Sequence, residues 1–545
     1  MKNKANEDFF NKIIDEMSLE ELIGQIMTFH VVTDKPVEEF EEMAKRIRPG
    51  GLFFGENATK EIIDKYTKIV NKYTKVPVIV SGDVENGPGC VLKDEAYLPR
   101  AMAWGACDDE NLIEKAGRVT GEICRKNGIH WTFAPVVDIN FNKDNPVTNV
   151  RAVSDKPEQV AKIAGAYVKG IQSNGMLMAA CKHFPGDGMD DRNQHFCTTV
   201  NSLTKEEWMN TYGYVYKKMF ELKAASVMVG HIALPWIGEE IDPVLGEKPG
   251  TLSYKIITEL LKGELGFEGC VVSDAMSMIG TSVMCPPDKL SLTFLKAGGD
   301  MLLFPAEQDF DYLLEAVNSG ELTLERVKDA VKRVLGLKMQ ARLFEDQEKL
   351  ESEITVSGDI WALSDEIAEK SITIVRNTQN LIPLSIKKGG KFLLINIHRR
   401  GSDLKDPEYM SDIHTLTDEL EKRGYSVDTL EEMTHYEVGR IKDNYDCILI
   451  NCRIESYNYL GGTLRINWDN VMPFWRGVAV DHPCVIFTSF GDPYKLYELP
   501  FLRTYINAYS SAQESLRAVV KVLLGETPAV GKSPVELKGF FKREV

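Results

Sequence analysis

Along the first 305 residues, short apolar runs alternate with stretches whose apolar positions recur every three or four residues. The runs are "IGQIMTF", "GGLFFG", "VPVIVSGD", "HWTFAPVVD", "LMAACKHF", "ASVMVGH", "GCVVSDA" and "DMLLFP", and each reads as a strand. Helical spacing between them is clearest at 110–126, 157–174 and 204–222, and "SLEELIGQI" opens on a capping box at Ser18 and Glu21. Strands alternating with helices predict an α/β fold with a parallel sheet, and eight such units predict a closed (β/α)8 barrel of the TIM type. An open doubly wound sheet is the alternative. Its GxGxxG fingerprint is missing after the first strand, and "GDGMDD" is not that motif.

A helical stretch rich in Lys and Arg follows at about 307–345, then a charged linker, "EDQEKLESEITVSGD". From about residue 360 a second α/β pattern begins, with strands expected in "KFLLINIH", "YSVDTL", "DCILINC", "CVIFTSFG" and "TYINAY" and a closing helix over 511–524. The tail "VGKSPVELKGFF" has no strong helix signal. The expected architecture is a barrel over 1–345, a linker over 346–365 and a C-terminal α/β sandwich domain with a mainly parallel sheet over 366–545.

Length supports this division, because 545 residues are too many for one core. The net charge of −17, from 64 basic and 81 acidic side chains, argues against nucleic acid or an anionic membrane as partner. No stretch reaches the length of a membrane span, and the N-terminus lacks the apolar core of a signal peptide. Ten cysteines lie scattered without a CxxC pair, several inside apolar runs (Cys181, Cys270, Cys447), which fits reduced thiols in a cytoplasmic protein. No Cys/His cluster has zinc-ligand spacing.

In a barrel of this kind, chemistry sits at the carboxyl ends of the strands. Those ends carry Asp83 and Glu85 ("SGDVENG"), Asp138 ("APVVDIN"), Lys182 and His183 ("CKHFPG"), His231 ("MVGHIALP") and Asp274 ("VVSDAMSM"). Titratable groups at five of eight strand ends are hard to explain by packing, since each must be solvated or paired. Asp138 reads equally well as a loop-capping aspartate or as a ligand contact. Lys182 and nearby Arg151 disfavour a metal ion. Carboxylates mixed with Lys, Arg and His suit a neutral polyhydroxyl ligand, whose hydroxyls both donate and accept. A carboxylate on the rim and a proton donor on a loop is the layout for cleaving a glycosidic bond.

Here the motifs meet a known family. "KHFPGDG", "NQH" and "VVSDAMSM", with "DVENG", "FAPVVDIN", "NVRAVS", "VMVGHIALP", "LLKGELGFEGCVVSD" and "LKAGGDMLLFP", resemble glycoside hydrolase family 3, most closely its bacterial β-N-acetylglucosaminidase branch. "AEKSITIVRNTQNLIPL" and "FGDPYKL" resemble the family's C-terminal α/β domain. The resemblance implies a retaining, exo-acting hydrolase of terminal β-linked N-acetylglucosamine that needs no cofactor. Asp274 would be the nucleophile and His195 the general acid/base, with Asn193 at the place of the histidine's partner. Asp83, Arg151, Lys182, His183, His231 and Met276 would hold the sugar. The implied partner is a small carbohydrate derived from cell wall or chitin, and the chain is expected as a monomer or homodimer.

Three positions depart from the family pattern. Asp187 stands where the family usually has His. Pro88 and Gly89 follow "DVENG" where Arg is usual. Asn193 replaces the aspartate that pairs with the catalytic histidine, so an amide stands where a charge is expected. Asp187, Asp190 or Asp191 is a candidate substitute partner. Alternatives to hydrolysis of an N-acetylglucosaminide are phosphorolysis, a β-glucosidase or β-xylosidase activity, and a weakened or non-catalytic sugar-binding protein.

Overall fold

The computed structural model describes residues 4–398, 414–430, 435–456, 465–466 and 481–539. The chain divides into two compact units. One comprises Met1–Glu95, Glu114–Asn145 and Val160–Asp359; the other comprises Ala96–Ile113, Pro146–Gln159 and Ile360–Val545.

The first unit holds strands β1 (Met27–His30), β2 (Gly51–Phe53), β3 (Ile79–Gly82), β4 (Trp131–Thr132), β5 (Met178–Phe184), β6 (Thr199–Val200), β7 (Ser226–Val229), β8 (Ile232–Ala233), β9 (Cys270–Ser273) and β10 (Leu302–Leu303). Eight of them form a parallel sheet in the order β10-β1-β2-β3-β4-β5-β7-β9. A parallel bridge between Val272 and Met301 joins β9 to β10 and closes the ring into the expected barrel. The strands are the apolar runs of the sequence, because a barrel strand is buried on both faces and has no solvent side to mark with polar residues. β6 and β8 form a separate parallel ladder, with Thr199 opposite Ile232.

Local chemistry trims the expected elements. The Ser18 capping box forms, with both reciprocal bonds, and starts a helix over Leu19–Gln25, so β1 begins only at Met27. The 204–222 pattern is two helices, Lys205–Asn210 and Tyr212–Glu221, broken at Thr211. The charged linker contains a helix, Gln347–Glu353, capped by Asp346.

The second unit holds β11 (Thr373–Asn377), β12 (Lys391–His398), β13 (Ser426–Leu430), β14 (Cys447–Arg453), β15 (Val485–Ser489) and β16 (Thr504–Asn507), in the order β11-β16-β15-β14-β12-β13. All pairs are parallel except β11 with β16. Side chains alternate between two cores. Leu393, Ile395, Ile448, Ile450 and Phe487 face one layer with Met102, Ala103 and Val150, while Phe392, Leu394, Leu449 and Ile486 face the other with Leu416, Leu516 and Val519. Covering both faces is what a parallel sheet requires. β11 was not anticipated. As an antiparallel edge strand, mostly half-buried or exposed, it lacks the apolar run that marks its neighbours.

Candidate active site

The site is built from residues at the carboxyl ends of β3, β5, β7 and β9. After β3, the half-buried Asp83 and Glu85 flank the buried ammonium of Lys182, at 3.0 and 2.7 Å. Lys182 lies within β5, all of whose residues are buried. It therefore neutralises two carboxylates within reach rather than standing as an isolated cation.

His183, next along β5, donates from Nδ1 to Asp138 Oδ2 at 2.6 Å. The same carboxylate accepts the main-chain N–H groups of His183 at 3.2 Å and Asp187 at 2.8 Å. Asp138 is fully buried and occupied by these three donors, so it caps the loop and orients the ring.

The loop after β5 is packed rather than extended into solvent. Gly186 has φ +121°, and a Cβ there would lie 2.1 Å from the Tyr212 ring. Asp187 accepts from Asn145 Nδ2 at 2.9 Å, from the Gly188 N–H at 2.6 Å and from Gln194 Nε2 at 3.1 Å. Burial and the neighbouring charge of Asp138 push its carboxyl up to about 6. Asp190 is taken by Arg192 and by the Val200 N–H, at 2.6 and 2.8 Å.

The acceptor at His195 Nδ1 is Asn193, whose Oδ1 lies 2.7 Å away and also accepts the His195 N–H at 2.9 Å. Neither Asp187 nor Asp190, two candidate substitutes, stands at Nδ1, since both carboxylates are engaged elsewhere. Asp191 lies exposed on the loop. An amide oxygen only accepts, so the Nδ1 proton is fixed, and a proton passed to a ligand would go through Nε2. Asn193 Nδ2 is buried without a hydrogen-bond partner among the described residues.

The His195 segment is fastened to the segment after β9. Ile279 donates its N–H to the His195 carbonyl at 3.1 Å, and Thr198 Oγ1 donates to the Gly280 carbonyl at 2.9 Å. A Cβ at Gly280 would meet the Gln194 carbonyl at 2.1 Å, so only glycine permits this approach. On the other side, Gln194 Oε1 accepts the His231 N–H at 3.1 Å. His231 follows β7 fully buried, its Nδ1 2.6 Å from Thr251 Oγ1 and its Nε2 3.1 Å from the Ala275 carbonyl. Burial lowers the pKa of this ring and Asp274 pulls it up.

Asp274 follows β9 directly, with one oxygen accepting the Ala275 N–H at 2.8 Å. Burial would raise its pKa. The positive potential of His183, His231, His195 and Lys182 outweighs that and holds the carboxyl below its ordinary range. An ionised carboxylate facing three imidazoles and an ammonium is equipped to attack an electrophilic carbon. Met276, two residues on, is buried and ties its N–H to the Leu303 carbonyl at 3.0 Å.

Arg151 lies in the second unit, in the short helical turn Asn149–Arg151, buried, with Nη1 3.2 Å from the Val147 carbonyl. Pro88 and Gly89 form a buried 3-10 turn after Glu85. Sequence reading missed His30, which ends β1 against the rings of Phe53 and Phe304. Burial lowers its pKa while Asp83 raises it. Its signal was present, since "MTFH" ends in a titratable residue like the other strands. Gln194, Asn145 and Thr251 carried no comparable signal. Among the described residues, no group of His, Cys, Asp or Glu is placed to hold a metal ion, and no helix is long and apolar enough to cross a membrane.

A parallel eight-stranded barrel with carboxylates and imidazoles on its carboxyl rim is the frame of a sugar-cleaving enzyme. Residues 18–337 match the glycosyl hydrolase family 3 N-terminal domain, and the chain belongs to that family. It is 29% identical over 534 residues to a β-N-acetylglucosaminidase/β-glucosidase of Cellulomonas fimi, covering 96% of this chain and 94% of that one. Among solved structures, a β-glucoside phosphorylase, BglX, bound to 2FGlc matches with a TM-score of 0.87 and 30% identity over 98% of this chain and 97% of that one. A family 3 β-N-acetylglucosaminidase from Paenibacillus sp. matches with a TM-score of 0.82 and 26% identity, covering 96% and 99%.

Proposed function

We propose that the chain is a retaining, exo-acting β-N-acetylglucosaminidase. Asp274 attacks the anomeric carbon, and His195 Nε2 gives its proton to the departing glycosidic oxygen. In the second half-reaction the same nitrogen takes a proton from water as the glycosyl–Asp274 ester is broken. Asp83, Lys182, His183, His231 and Met276 hold the sugar. The observation that carries this reading is an Asp274 carboxyl held below its ordinary range by His183, His231, His195 and Lys182, beside a His195 whose Nδ1 is committed to Asn193. Likeness to the Cellulomonas fimi and Paenibacillus enzymes supports the N-acetylglucosaminide as substrate.

A second reading, phosphate in place of water, has a specific observation in its favour. Asn193 brings no negative charge to the acid/base, so an anionic acceptor is repelled less there than beside a carboxylate. Likeness to a β-glucoside phosphorylase supports it as well. The test is turnover of nitrophenyl β-N-acetylglucosaminide and nitrophenyl β-glucoside, each with and without phosphate, with the products identified. Free N-acetylglucosamine at a rate indifferent to phosphate is the expected result. A sugar 1-phosphate assigns the second reading. A 2-fluorosugar that inactivates without labelling Asp274 overturns the mechanism.

A further inference from the structure

The second unit carries a pair of thiols that the sugar chemistry leaves unused. In the parallel pairing of β14 with β15, Ile448 lies opposite Val485, so one residue earlier Cys447 lies opposite Cys484. The Ile448 N–H donates to the Cys484 carbonyl at 3.0 Å. Paired strands run about 4.8 Å apart, within the Cα spacing a disulfide spans. Both residues are free cysteines, and both side chains pack in the same core layer. His482 staples the two segments together, with Nε2 3.1 Å from the Tyr445 carbonyl and Nδ1 2.9 Å from the Cys484 carbonyl.

The two sulfurs differ in environment. Cys447 is fully buried, while Cys484 is half-buried and lines a cavity of about 610 Å³ together with Ser385, Lys387, Lys388 and Asp446. Both lysines are exposed. Burial pushes the thiols of Cys181, Cys452 and Cys447 up, whereas the neighbouring Cys447 thiol brings Cys484 down. A reachable thiol set directly opposite a second thiol on the paired strand is the arrangement of a reactive cysteine with its resolving partner.

We propose that Cys484 and Cys447 form a thiol-modification site for small anionic disulfides of the glutathione class, admitted through the cavity beside Lys387 and Lys388. The Cys484 thiolate attacks one sulfur of the reagent, whose S–S bond breaks and releases one thiolate. The Cys447 sulfur then attacks the mixed disulfide at Cys484 and releases the second. Two protein thiols are oxidised to one Cys447–Cys484 disulfide, and the reagent is reduced by two electrons to two thiols that take up the two protons. The lysines supply attraction for the carboxylates of the reagent.

The test is incubation of the native full-length chain with oxidised glutathione, followed by peptide mapping without reduction. A peptide pair linked through Cys447 and Cys484, reversed by dithiothreitol, is expected. Cys447→Ser should stop at a glutathione adduct on Cys484, and Cys484→Ser should give neither product. The double change Lys387→Glu, Lys388→Glu should slow the reaction with oxidised glutathione severalfold and leave that with neutral hydroxyethyl disulfide unchanged. Because the mapping of unmodified protein needs no variant, a native chain with both cysteines still free after treatment overturns the proposal. Linkage that appears only after denaturation overturns it equally.

Discussion

His183 and His195 lie at the two ends of one segment, and both are held through Nδ1 by a side-chain oxygen, at 2.6 and 2.7 Å. The partners differ. Asp138 is a buried carboxylate that also collects two main-chain N–H groups, whereas Asn193 is an amide that collects one. Position is secured equally well in both pairs. Charge is not: a carboxylate stabilises an imidazolium, and an amide only orients the ring. Both rings belong to the electrostatic frame around Asp274, and the contrast separates one backed by a charge from one whose partner brings none.

The sharpest way to break the comparison is to remove the two rings in turn. His195→Ala should lower kcat on substrates with poor leaving groups by about 10³-fold, the usual range for losing a general acid. The loss should shrink for dinitrophenyl glycosides, which leave without a proton. His183→Ala should lower kcat/KM without that leaving-group dependence, and a dependence in the His183 variant would reverse the assignment.

Making the two partners alike comes next. Asn193→Asp should raise kcat by about ten- to a hundredfold, a fraction of what the corresponding carboxylate contributes in serine-protease triads. A carboxylate there keeps the imidazolium to higher pH, so the alkaline limb of the kcat/KM profile should move up. A fall in rate confined to reactions with phosphate would instead mark the amide as fitted to an anionic acceptor. The converse change, Asp138→Asn, should lower kcat/KM by about tenfold, because the amide can orient His183 but adds no charge.

The smallest effect concerns the loop between the two histidines. The Asp187 carboxyl is raised from an ordinary 3.8 to about 6 by burial and by Asp138. The folded chain therefore holds this proton more tightly than the unfolded chain. The stability this contributes is complete below about pH 4 and is lost as the pH rises through about 6. Asp187→Asn does not titrate. Its Tm minus that of the unaltered chain should climb between pH 4 and 6 and stay level above 7, as followed by calorimetry.

Much of the fold was legible because parallel strands buried on both faces leave uninterrupted apolar runs. All eight barrel strands fall on such runs, and so do β12, β14 and β15. β11 escaped because an edge strand carries no such signature, and the break at Thr211 because helical spacing continues across it. At the site, Asp274, Lys182, His183 and His231 could be picked out by their place at strand ends. The role of Asp138 could not, since loop cap and ligand contact look alike until its three donors are seen. His30 was legible and overlooked, whereas Gln194 was not legible at all. Its two hydrogen bonds, to Asp187 and to His231, join a neighbour in the same loop to a residue 37 positions away.

By itself the sequence determined the barrel, the second α/β unit, the family and the identities of the chemical groups, because periodicity and short motifs are local properties of a chain. Tertiary structure alone decided who pairs with whom. Lys182 is shared between Asp83 and Glu85, Asp187 is drawn away to Asn145 and Gln194, and His195 keeps the uncharged Asn193. The physical reason is that a buried polar group must find its partner within about 3 Å. Which groups come that close depends on how loops from separate strands close over one rim.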